Sequence, residues 1–153
     1  MRKILFALAA LGLLSAAATP KLSGPKAKAV MHERRDGMEK VGKTMKSLAR
    51  QIKSGAPDMA DVKNHAAVMN GLAQKAATWF PAGTGPNVRK TDAKAEIWQK
   101  PEDFAAKMKA FQIAAVTLNR AAQTGNAASA TAAFGDLGKS CKACHDSYRT
   151  EQH

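Results

Sequence analysis

The chain has 153 residues, of which 24 are Lys or Arg and 12 are Asp or Glu, for a formal charge of +12. That length suits one domain built on one core, and an aromatic share of 5% argues against the stacking platforms of single-strand nucleic-acid binders. No catalytic triad, carboxylate pair or phosphate loop is present. The stretch Gly83-Thr84-Gly85-Pro86 lacks the glycine spacing and the lysine of a phosphate-binding motif, so the sequence does not read as an enzyme.

The chain opens with Arg2 and Lys3, an apolar stretch from Ile4 to Leu14, and then Ala16, Ala17 and Ala18. This is the order of a cleavable secretory signal over residues 1–18, with the mature start near Thr19. The apolar stretch is too short to span a bilayer, which weighs against an uncleaved anchor, and no cysteine follows it for lipid attachment. The expected location is therefore the periplasm, without stable membrane insertion. Loss of Arg2 and Lys3 takes the charge from +12 to +10. In an exported chain that surplus reads as solubility, attraction to anionic surface or steering toward an acidic partner, not as nucleic-acid binding.

Residues 19–28, rich in Pro, Gly and Lys, are expected to be a linker, and the folded domain to run from 29 to 153. Met38, Val41, Met45, Leu48 and Ile52 then alternate steps of three and four, one apolar stripe on a first helix that stops at Gly55 and Pro57. Val62, Ala66, Met69, Ala73, Ala76 and Phe80 keep the rhythm on a second helix up to Pro81. Residues 81–101 carry too much Gly, Pro and Asp for a helix and predict a long crossover loop, with one turn at 95–99 tucking Trp98 under the bundle. A third helix opens at Pro101, carries Phe104, Met108, Phe111, Ala115, Leu118 and Ala122, and closes at Gly125. A fourth carries Ala127, Ala130, Phe134, Leu137, Cys141, Cys144 and Tyr148 on its core stripe. Four amphipathic helices with no strand pattern predict an all-α fold, an antiparallel four-helix bundle with a long loop between helices two and three. So many seam positions are Ala that side chains alone leave the middle underfilled, and interiors do not tolerate large voids.

Cys141, Cys144 and His145 form a Cys-x-x-Cys-His motif that contains both cysteines of the chain. A disulfide between them would close a tiny loop and belong to a redox motif, for which the strand–helix alternation is missing. Structural zinc would need a further ligand pair, and His32, His65 and His153 do not supply one. Covalent haem fits the motif best. Two thiols three residues apart can form thioethers to the two vinyl groups on one side of a porphyrin, and the next residue then brings an imidazole to the iron. Covalent attachment also keeps the cofactor in a protein that cannot recapture it after export.

The stretch AAFGDLGKSCKACHDSYR resembles the C-terminal helix of the class II c-type cytochromes, the cytochrome c′ group. AEIWQKPEDF and RRDGMEKVGKTMKSL are similar to that family's loop before the third helix and to its first helix, so the resemblance runs from about Ala29 to Arg149. It implies one covalent haem c per chain on Cys141 and Cys144, with His145 as the proximal iron ligand. In the family, an Arg of the first helix approaches the haem propionates and the residue four positions later watches the distal face. Arg34 and Met38 have that spacing, with Arg35 an alternative for the propionates.

The resemblance leaves two functions open. A Met38 bonded to iron implies a low-spin one-electron carrier that serves redox partner proteins, whereas a Met38 that only packs implies a five-coordinate iron that binds NO or CO. Family members also pair as homodimers through their first two helices. Here Lys40, Lys43, Lys46, Arg50 and Lys53 make a basic stripe on helix one that would oppose itself in such an interface; it reads as a solvated face or as a docking patch for an acidic redox partner. By resemblance Arg149 either nears the proximal pocket or stays at the surface. Phe134 and Tyr148 read as core, Trp79 and Trp98 as packing residues, and His32 and His65 as surface.

Overall fold

Pro25 sits in the first turn of helix α1, Gly24–Lys53, where its missing N–H removes no helical bond. The computed structural model describes residues 20–150; the expected signal peptide, residues 1–18, and His153 lie outside them. Helix α1 thus begins inside the stretch expected as linker, and Ala27 is already fully buried. Its buried face runs through Met31, Arg34, Gly37, Val41, Thr44 and Leu48, while Met38, Met45 and Ile52 are half-buried. The stripe is longer than its apolar periodicity suggests because Arg34 and Gly37, neither an apolar signal, occupy two of its positions.

The turn after α1 is fixed locally. Gly55 takes φ 80°, the left-handed conformation that favours glycine, and Asp58 caps helix α2, Met59–Ala76, by accepting from the Ala60 and Asp61 N–H groups. Gln51 ties the two helices, donating to Asp61 Oδ2 at 2.8 Å and accepting from the Asp58 N–H at 3.1 Å. Helix α2 tightens into a 3-10 turn, Ala77–Trp79, before the crossover loop, which holds one short helix, α3, Glu96–Gln99. The Trp98 indole in α3 donates to the carbonyls of Phe80 and Pro81 at 3.2 and 3.0 Å, so the expected tuck of Trp98 is a pair of hydrogen bonds.

Helix α4, Pro101–Gln123, begins at Pro101 and ends before Gly125, at φ 75°. Asn126 then caps helix α5, Ala127–Tyr148, accepting from the Ser129 N–H at 2.9 Å. The end of α5 is pinned by the loop. Lys94 N–H donates to the Tyr148 carbonyl and Thr150 N–H to the Asp92 carbonyl, both at 2.9 Å, and Arg149 pairs with Ala93 in an isolated antiparallel bridge.

The four long helices form the expected bundle. Helix α1 packs on α2, α2 on α4 and α4 on α5, whereas α5 meets α1 at few positions. The core is small-residue rich: Ala66, Ala73, Ala76, Ala115, Ala122 and Ala130 are essentially inaccessible, alongside Leu48, Met69, Leu118 and Leu137. Trp79, 1% exposed, is the largest fully buried side chain among the described residues and packs its six-membered ring against Gly37. A Cβ at Gly37 would stand 2.3 Å from the Trp79 ring, whereas one at Gly42 would meet nothing within 4 Å.

Two helical glycines therefore respond oppositely to alanine. Gly37→Ala is expected to lose about 1–3 kcal/mol by overpacking, and Gly42→Ala to gain about 0.5–1 kcal/mol of helix propensity. Urea midpoints measure both. Equal midpoints for the two variants would contradict the close packing of Trp79 on α1.

Candidate functional site

On α5, Leu137, Cys141, Cys144 and Tyr148 follow steps of four, three and four, which places them on one helix face. Leu137 and Tyr148 are buried and the two cysteines are half-buried, both as free thiols. His145, one residue past Cys144, is rotated about 100° around the helix and is exposed. Burial pushes both thiols above the usual cysteine range, and for Cys144 the neighbouring Cys141 adds to the effect. The His145 imidazole is pushed down, first by partial burial and then by the Arg149 cation one turn on. Among the described residues neither ring nitrogen of His145 has a hydrogen-bond partner. A neutral imidazole without a competing partner is the form that binds iron.

The facing helix is α1, and its contact with α5 is sparse. Met38 and Met45 on α1 and Phe134 and Cys141 on α5 all pack against the core yet stay half-buried. An apolar edge left partly open beside two free thiols and an unbonded imidazole fits a thioether-linked haem. Among the described residues no three of His, Cys, Asp and Glu converge where a metal ion alone could sit.

Arg34 has a different setting from Met38, one turn on. It is 4% exposed, and its guanidinium donates to the Trp79 carbonyl at 3.3 Å, to Thr84 Oγ1 at 3.2 Å, to the Thr84 carbonyl at 2.9 Å and to Thr91 Oγ1 at 3.3 Å. It also lies over the rings of Phe80, 5.1 Å to the centroid, and Trp98, 5.6 Å. Desolvation lowers its pKa to about 10, so it remains a cation at neutral pH. Arg34 is thus a buried anchor that ties the crossover loop to α1, a role with no local signature because its partners lie 45 to 57 residues away. Arg35 is instead an exposed residue paired with Asp36.

A second arrangement unread in the sequence lies below the cysteines. The Tyr148 hydroxyl donates to Asp103 Oδ2 on the first turn of α4, and Lys107 Nζ stands 3.8 Å from the same oxygen. Phe134 packs against the core while staying half-buried, and Tyr148 is buried. Arg149 is exposed, its side chain at the surface beside His145. His32 is exposed, whereas His65 is half-buried. The basic stripe is real: Lys40, Lys43, Lys46, Arg50 and Lys53 are all exposed and, among the described residues, none has an ion pair, while Lys75, Lys107, Lys139 and Lys142 are each paired with a carboxylate. A groove of about 330 Å³ between α1 and α2 is lined by Glu33, Lys40, Leu72, Lys75 and Trp79 among others, and holds none of the chemistry of α5.

Tyr148 is the chain's one tyrosine, so its titration is assignable. The hydrogen bond to Asp103, reinforced by burial, raises it to about 12. Stability from this contact is fully present below about pH 10, the unfolded value, and is lost as pH rises through the folded value near 12. Ring-carbon NMR shifts followed with pH should show no tyrosinate near pH 10; half-titration there would contradict the contact.

The family model described as Cytochrome C' matches residues 29–149. The chain is 42% identical over 102 residues to the cytochrome c′ of Alcaligenes xylosoxydans xylosoxydans, covering 66% of this chain and 77% of that one. It is similar, with TM-score 0.76 and 32% identity over 85% of this chain and all of the other, to the structure of a ferrous variant of cytochrome c prime from Alcaligenes xylosoxidans with bound NO. A third likeness, with TM-score 0.76, 30% identity and coverage of 84% of this chain and all of the other, is to a cytochrome c′ described by an unusual ligand-controlled dimer dissociation.

Proposed function

The chain belongs to the cytochrome c′ family of covalent haem c proteins, and on that premise we propose that it is a one-electron carrier of the periplasm, with haem c held by Cys141 and Cys144. His145 would hold its iron, and Met38 would offer a second, thioether ligand. The observation that carries this reading is the register of α5: two half-buried free thiols on one face, and beside them a neutral imidazole with no hydrogen-bond partner, at the edge where α1 and α5 barely touch. Haem bound there supplies a ferric–ferrous couple, and no bond is made or broken in a substrate, so the chain is not an enzyme.

Each residue has a part in this reading. The thiols keep the cofactor on the chain. His145 offers a lone pair that no neighbouring donor occupies. Met38 presents a soft thioether from the core stripe of α1, a ligand type that raises the potential of His-ligated haem. Arg34, locked into the loop one turn before Met38, holds that part of α1 in place, and any contact it makes with a propionate is additional to these four acceptors. The unpaired basic face of α1 steers acidic redox partners toward this edge. The same charges disfavour α1 against α1 in a homodimer, so pairing of two chains needs α2 or a bound counter-ion.

A second reading, capture of NO or CO at a five-coordinate iron, is supported by the NO complex of the Alcaligenes relative and by the fact that Met38 is only half-buried. Absorption spectra of the reduced protein with CO separate the two. The carrier reading expects little response in the parent and CO binding at least roughly tenfold faster in Met38→Leu, the factor that about 1.4 kcal/mol confers. Equally rapid binding in both would make Met38 a packing residue and favour gas capture.

A further inference from the structure

The attachment turn of α5 is fastened by contacts that the carrier reading does not itself use. Tyr148 is 3% exposed, its hydroxyl is bonded to Asp103, and its ring stands edge-on to Phe104 with centroids 5.3 Å apart at 90°. Phe104 in turn stands edge-on to Phe80 at 4.9 Å, and Phe80 lies under the Arg34 guanidinium. One line of contacts therefore runs from the end of α5, through the start of α4 and the crossover loop, to α1 one turn before Met38. Along α5, Tyr148 is four residues from Cys144 and three from His145, the separations at which side chains share a helix face.

The same place carries charge. Lys107 Nζ stands 3.8 Å from the Asp103 oxygen that accepts from the Tyr148 hydroxyl, and Tyr148 is one helical turn from Cys144. Both charges thus lie beside the turn that bonds the cofactor on the carrier reading. Asp103 is half-exposed, and its field is moderated by the Tyr148 hydroxyl and by the Lys107 ammonium.

We propose that Asp103 and Tyr148 are a positioning pair that fixes the haem-attachment turn of α5 and sets the reduction midpoint of the haem carried there. The proposal rests on the haem reading above. A carboxylate near the cofactor favours the ferric form, which carries the extra positive charge, so it lowers the midpoint, and a hydrogen bond donated to that carboxylate softens its field. Removing the donor and removing the charge must then move the midpoint in opposite directions. A contact that only stabilised the fold would not do this, since both changes weaken the same bond.

The test is a spectroelectrochemical midpoint of the holoprotein for the parent, Tyr148→Phe and Asp103→Asn. Tyr148→Phe keeps the ring against Phe104, and Asp103→Asn keeps an oxygen that can accept from the phenol. The expected order is Tyr148→Phe below the parent and Asp103→Asn above it. Lys107→Gln, which leaves the hydrogen bond intact, should also fall below the parent and serves if Tyr148→Phe does not fold. Any other order, including three equal midpoints with lowered melting temperatures, overturns the proposal. A parent whose haem does not stay with the denatured chain overturns the functional reading first, and the proposal with it.

Discussion

The edge between α1 and α5 is where the bundle is not closed by its own side chains. Elsewhere alanines let the helices approach closely, and Ala66, Ala73, Ala115, Ala122 and Ala130 are all essentially inaccessible. At this edge the large apolar residues Met38, Met45 and Phe134 stay half-buried although they lie on core stripes. Removing apolar surface from water contributes about 25 cal/mol per Å², so a fold that leaves such an edge open is incomplete without something flat and apolar to cover it. On the reading proposed here the covalent haem is that cover, and the half-buried thiols of Cys141 and Cys144 are its attachment points. The sparse contact between α1 and α5 is then a requirement of function.

The opposite constraint acts at the loop end. Arg34 is a buried cation whose desolvation is offset by acceptors on Trp79, Thr84 and Thr91 and by the faces of Phe80 and Trp98. Leaving one such buried acceptor unpaired costs about 1–3 kcal/mol, so the loop and α1 are held as a unit. The loop reaches the end of α5 through Asp92, Ala93 and Lys94, and thereby ties together the two helices that barely touch directly. The spacing across the open edge is set from one end of the bundle, and the edge itself is left free. The outer face of α1 bears five exposed cations with no ion pair among the described residues, so the helix that supplies Met38 also bears the surface that would meet an acidic partner.

Much of this was legible in the sequence, for definable reasons. The three-and-four rhythm of Val62 to Ala76 and of Phe104 to Ala122 reports burial directly, and the glycines and prolines at the ends report the turns. Cys141, Cys144 and His145 were readable because their chemistry depends on local spacing, which a linear sequence preserves. The first turns of α1 are not legible from periodicity because Arg34 and Gly37 break its apolar stripe, and each is there for a partner far along the chain: the crossover loop for Arg34 and Trp79 for Gly37. The Asp103–Tyr148 bond joins residues 45 positions apart and has no local signature at all. Burial of Arg34 within the loop likewise depends on tertiary contacts that no periodicity encodes.

The most direct test of the central claim is intact mass of the polypeptide after denaturing extraction of haem, for the parent and for Cys141→Ser with Cys144→Ser, both expressed with haem-maturation machinery. The account predicts that the parent keeps one haem on the denatured chain and that the double variant keeps none. Haem that leaves the parent on extraction, or stays on the double variant, would contradict it.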